Sequence, residues 1–73
     1  MKENKCESVA YLRTVYKPGT RVVVIRMEDP WPVETGTEGS VDHVDDAGTI
    51  HCRFDNGRYL GLIPELDVFR VIS

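Results

Sequence analysis

The sequence predicts a mainly-β protein: a five-stranded barrel preceded by a short N-terminal α-helix. Three observations lead there. The stretch Val22-Val23-Val24-Ile25 opens a series of short segments rich in β-branched and aromatic residues. Those segments are separated by compact turn signals, Asp45-Asp46-Ala47-Gly48, Asn56-Gly57 and Pro64-Glu65-Leu66. A helical apolar period occurs only ahead of Lys17. The expected organisation is a helical segment, residues 1–17, and a β-barrel, residues 18–73, in one structural domain.

The helix comes first. Asn4 and Glu7 have the spacing of a capping box, in which each side chain satisfies an end N–H of the turn. Val9, Leu12 and Tyr16 form one apolar stripe, flanked by Cys6 and Ala10. A helix of about three turns is marginal alone in water, so the stripe must dock, on the barrel or in a homodimer. Lys17-Pro18-Gly19 ends it.

Strands follow. The first spans Thr20 to Met27. Glu28 to Gly36 is a loop, because Pro30 and Pro32 remove ladder donors on either side of Trp31. Thr37 to Val44 is the second strand, and Thr49 to Asp55 the third. In the third, Ile50, Cys52 and Phe54 alternate with Thr49, His51 and Arg53. Asn56-Gly57 signals a two-residue hairpin turn with positive φ at both positions. Arg58 to Ile63 is the fourth strand, Pro64-Glu65-Leu66 a single 3₁₀ turn, and Asp67 to Ile72 the fifth. The expected core is Val22, Val24, Val41, Ile50, Phe54, Leu60, Leu62 and Phe69, with Cys52 buried among them. This order of elements is that of an SH3-like barrel, whose closure hides strand edges. A sandwich needs more strands, and an OB barrel has a helix where this chain has Asn56-Gly57.

Size and charge narrow the function. At 73 residues, only one domain fits, and a domain near this size buries only roughly 60% of its unfolded surface. That leaves little chain for an enzyme-sized pocket. No apolar run approaches the roughly 20 residues of a membrane span, and the charged N-terminus lacks a signal-peptide core. A cytoplasmic protein with reduced, unpaired Cys6 and Cys52 is expected. Charge is lopsided within the net −3: residues 1–27 carry six Lys and Arg against two Glu, whereas residues 28–73 carry three Arg against ten carboxylates. Nucleic-acid binding through the phosphate backbone wants the opposite sign and is not expected.

Several separated motifs carry a family resemblance: Pro18-Gly19-Thr20-Arg21-Val22, Arg26-Met27-Glu28-Asp29-Pro30, Gly36-Thr37-Glu38-Gly39, Val44-Asp45-Asp46-Ala47-Gly48, Phe54-Asp55-Asn56-Gly57 and Leu62-Ile63-Pro64. Over about residues 9–72 the chain resembles an uncharacterised bacterial domain-of-unknown-function family of small proteins found in phages, plasmids and conjugative elements. The resemblance implies an SH3-like fold and a mobile-element context. It implies no catalytic residues.

Residues with chemical potential are few. His43, His51 and Cys52 are metal-ligand types, but adjacent His51 and Cys52 point to opposite faces, and no zinc-ligand spacing is present. No metal or cofactor is expected. Asp42 faces His51 if the register allows, a carboxylate–histidine pair with no nucleophile beside it. No catalytic residue is assigned. Trp31 either closes an open end of the barrel or forms part of a binding surface, which Tyr59 would extend. Glu28, Asp29 and Glu34 give that surface an acidic rim. The leading expectation is therefore a non-catalytic protein-interaction module with a basic protein partner. A nucleic-acid-binding barrel and an acidic, phage-type inhibitor of a host protein are the alternatives.

Overall fold

The computed structural model describes residues 5–73, with side chains described from Val9 onward. The elements are α1 (Lys5–Val15), β1 (Arg21–Arg26), β2 (Glu38–Val44), β3 (Ile50–Phe54), β4 (Tyr59–Leu62) and β5 (Val68–Val71). The Asn4–Glu7 cap and the Cys6 thiol lie outside the described groups.

All five strands join one antiparallel sheet in the order β4-β3-β2-β1-β5. This corrects the expected SH3-like barrel: the sheet is not closed, because β4 and β5 lie at opposite edges and do not pair. Both are only four residues long. The turn between them is also pinned. Leu66 N–H and Asp67 N–H both donate to the Ile63 carbonyl, at 2.9 and 2.8 Å, so the expected 3₁₀ bond is joined by an α-type one. Asp67, read from sequence as the start of a strand, is instead a buried bracket. Its Oδ1 accepts the Glu28 N–H and its Oδ2 the Ile63 N–H, each at 2.7 Å.

The helix covers core that closure would otherwise have hidden. Val9 is buried, and Leu12 and Tyr16 pack against the core. The Tyr16 and Phe69 rings lie 5.8 Å apart. Gly48 faces the same stripe, with Leu12 Cδ1 3.6 Å from where a Cβ would stand. Val22, Val24, Val41, Ile50, Cys52, Phe54 and Leu62 fill the inner face as their alternation predicts, while Leu60 and Phe69 are only partly buried. Met27, Val33 and Val44 complete the core.

The β1–β5 register shifts between Val24 and Arg26, and two further irregularities shape the surface. The β3–β4 hairpin uses a three-residue turn. Gly57 N–H donates to the Phe54 carbonyl and Phe54 N–H to the Arg58 carbonyl. Gly57 has φ 93°, whereas among the described residues no non-glycine residue has positive φ. Asn56 thus sits in an ordinary conformation and Gly57 alone supplies the left-handed position of the bulge. The second irregularity lies between Val41 and His43, which pair with the consecutive residues Cys52 and His51. One extra residue in β2 turns both Asp42 and His43 to the outer face.

Candidate functional site

The β1–β2 loop is anchored at both ends and open in the middle. Met27 and Val33 are buried. Gly36 N–H donates to the Val24 carbonyl at 2.7 Å, and the Thr35 hydroxyl to the Ile25 carbonyl at 2.9 Å. Between these anchors Asp29 Oδ1 accepts the Trp31 N–H at 2.9 Å. This side-chain turn, with Pro30 inside it, limits the loop's freedom. Arg58 donates from Nη1 to the Pro32 carbonyl at 3.2 Å, tying the loop to the start of β4. Trp31 itself is 76% exposed. Glu28, Asp29 and Glu34 lie on the same loop; Glu28 Oε2 is paired with Arg26 Nη1 at 2.6 Å.

Tyr59 belongs to a different cluster. From β4 its ring leans across the outer face, and its hydroxyl donates to Asp42 Oδ2 on β2 at 2.9 Å. The His43 and His51 rings stack beside it, 4.5 Å apart and 10° from parallel, with Tyr59 6.2 Å from His51. Asp42 Oδ2 meets His43 Nδ1 at 2.7 Å, and Asp45 Oδ2 meets His51 Nε2 at 2.8 Å. The carboxylate that faces His51 is thus Asp45, and Asp42 serves His43 and Tyr59. Asp45 also accepts the Thr49 and Ala47 N–H groups through Oδ1, each at 2.9 Å.

These partners set the ionisation of the carboxylates. The His51 hydrogen bond, then the Thr49 N–H, pull Asp45 down to about 2. Asp42 is held below the usual carboxylate range by His43 and then Tyr59. The same bond to Asp42 raises the Tyr59 phenol. Farther along this face Arg21 grips Asp55 through two hydrogen bonds, 2.6 and 3.0 Å, and lowers its pKa.

The domain of unknown function (DUF4314) matches residues 5–72. The chain belongs to this family. No curated protein matches it. Within this DUF4314 chain, no group of three or more His, Cys, Asp or Glu among the described residues is placed to hold a metal ion. No described helix is long and apolar enough to cross a membrane. A cleft of about 210 Å³ between α1 and β2 is lined by Arg13, Tyr16, Pro18, His43 and Val44. That is smaller than the roughly 300–1,000 Å³ usual for a small-molecule site.

Sequence reasoning singled out the loop and named His43, His51, Asp42 and Tyr59, but it matched Asp42 with His51 and placed Tyr59 beside Trp31, and so missed how the outer-face cluster is assembled. Alternation assigns His43 and Asp42 to opposite faces, and only the bulge puts them together. A bulge made of ordinary residues leaves no mark in the sequence.

Proposed function

We propose that the protein is a non-catalytic protein-interaction module whose Trp31 loop inserts into a basic partner in the cytoplasm. The supporting observation is a tryptophan 76% exposed on a loop braced by Asp29, Arg58 and two buried ends. A large indole held open in water is unfavourable in the free protein, and its burial at an interface recovers that free energy. The bracing lowers the ordering cost of binding. Glu28, Asp29 and Glu34, together with the acidic excess of residues 28–73, supply a field that steers and orients a basic protein. The context belongs to the same proposal: a phage, plasmid or conjugative element, to be checked from the genes that flank this one.

The test is capture from host lysate with three baits: the parent protein, Trp31→Ala, and Tyr11→Ser, which alters another exposed aromatic. The partner, purified, is then titrated against each. Binding lost in Trp31→Ala, kept in Tyr11→Ser and weakened by salt is the expected result. Equal binding by all three, or recovery of nucleic acid in place of protein, overturns the proposal.

A further inference from the structure

We infer that the Trp31 loop of one copy seats in the cleft between α1 and β2 of a second copy, a weak contact that competes with the partner proposed above for the same loop. The inference rests on that reading only in taking Trp31 as a contact residue; the cleft is a separate observation.

The loop presents a knob whose backbone donors are already committed. Pro30, Trp31 and Pro32 are three successive exposed apolar residues. The Trp31 N–H goes to Asp29, the two prolines have no N–H, and the Pro32 carbonyl takes Arg58. Residues 30–32 therefore have no free N–H with which to join a strand. What they offer is a side chain: an indole, which donates one N–H and accepts nothing. Glu34, exposed on the same loop, adds a carboxylate.

The cleft matches that knob in size and chemistry. Its volume is about 210 Å³. That is the liquid share of roughly seven waters, room for one large side chain. Tyr16, Pro18 and Val44 supply apolar walls, and the His43 ring lines it too. His43 Nδ1 meets the Asp42 carboxylate at 2.7 Å. An ionised carboxylate only accepts, so neutral His43 carries its proton on Nδ1 and keeps Nε2 as an acceptor, the group an indole N–H needs. Arg13 is about half exposed, and two bonds fix its guanidinium: Nε donates to the Val44 carbonyl at 3.1 Å and Nη2 to Asp46 at 2.8 Å. Its Nη1 has no partner among the described residues. A planar cation held in this way can stack on an indole face and still meet a carboxylate such as Glu34.

The occupant is a second copy because the chain cannot fill its own cleft. The cleft opens beside Val44, the last residue of β2, whereas the loop enters β2 at Glu38. The strand between them spans roughly 20 Å. Charge favours the meeting of two copies. Residues 1–27, which contain Arg13 and Pro18, carry six Lys and Arg against two Glu, whereas residues 28–73, which contain the loop, carry three Arg against ten carboxylates. A single indole buries only roughly 150–250 Å², well short of the roughly 1,200 Å² at which stable interfaces begin. The contact therefore forms at high protein concentration and leaves Trp31 open at low concentration.

The experiment uses the full-length protein alone. Emission and acrylamide quenching of Trp31, the single tryptophan, are followed from low micromolar to millimolar protein, with mass read by light scattering. Expected are a shift to shorter wavelength and a loss of quenching that track a rise in mass. Trp31→Ala, which removes the knob, and Arg13→Glu, which reverses the charge at the cleft, should each weaken association about tenfold or more. His43→Ala, at a half-exposed ring, is a second cleft variant, and urea unfolding checks the fold of all three. Each copy carries both halves of the contact, so the decisive step is mixing. Trp31→Ala keeps the cleft and has no tryptophan; added to Arg13→Glu, it should restore the emission shift and give pairs in one-to-one ratio. Constant emission and mass up to millimolar protein, a rise in mass without an emission shift, association of Trp31→Ala like the parent, or no shift on mixing overturns the inference. Each of these leaves the Trp31 partner proposal standing, since the captured protein decides that. A captured protein that binds Trp31→Ala as well as the parent removes the partner proposal, and the emission shift on mixing still upholds the contact between copies.

Discussion

Truncating Phe54 to alanine removes the largest fully buried side chain of the inner face. The ring is 2% exposed and packs against Gly39, where a Cβ would stand 2.7 Å from Phe54 Cδ1. Phe→Ala in such a setting costs about 3–5 kcal/mol. At about 0.05–0.15 kcal/mol per residue, a chain of this length has roughly 4–11 kcal/mol in total. Phe54→Ala should therefore unfold at a much lower urea midpoint or fail to fold at 37 °C. Gly39→Ala presses on the same ring from the other side and should cost about 1–3 kcal/mol by overpacking. Combined with Phe54→Val, which has no Cδ atom, Gly39→Ala should lose the part of its cost owed to the ring and keep the part owed to the Arg53 carbonyl, 2.9 Å from the same Cβ. Urea unfolding of the two single variants and the double variant reads this coupling. A Phe54→Ala midpoint within about 1 kcal/mol of the parent, or strict additivity in the cycle, would refute the assigned strand phase and packing.

Asp67→Ala takes the shared acceptor from two part-buried backbone N–H groups and should destabilise the fold by on the order of 1–3 kcal/mol, with Asp67→Asn losing less because one acceptor oxygen remains; thermal melts compare them. Asp45, Asp42 and Asp55 have folded pKa values below their unfolded ones, so their stabilisation is complete above about pH 4 and drains away as pH falls toward the value of about 2 for Asp45. Urea midpoints between pH 5 and 2 should fall along that course, and Asp45→Asn should flatten it. The Cys52 thiol, free and buried, is pushed up to about 12 by desolvation. A thiol reagent at pH 8 should therefore label it only as fast as the protein opens, and prompt labelling in the native state would place it at the surface.

Much of the fold was legible because short-range periodicity reports which face of an element is buried. Ile50, Cys52 and Phe54 alternate cleanly, and Val9, Leu12 and Tyr16 recur at helical spacing; both patterns match the structure. Barrel closure was misread for a physical reason. Element order is the same whether or not the last strands meet, and meeting depends on strand length and on how the Ile63–Asp67 turn is pinned. That pin is Asp67, which joins the nearby Ile63 N–H to the distant Glu28 N–H, and the second link is invisible in a linear reading. The histidine cluster was hidden by the Asp42–His43 bulge. Trp31, by contrast, could be placed on a loop directly, since prolines on both sides leave the chain no ladder to join.

The chain has a single tryptophan, so its fluorescence reports on the proposed contact alone. In the free protein Trp31 should emit as an indole in water and be readily quenched by acrylamide. Added to the captured, purified partner, it should shift to shorter wavelength and become protected, with the same midpoint as binding measured by calorimetry. A partner that binds while Trp31 emission and quenching stay unchanged would contradict the claim that this loop is the interaction site.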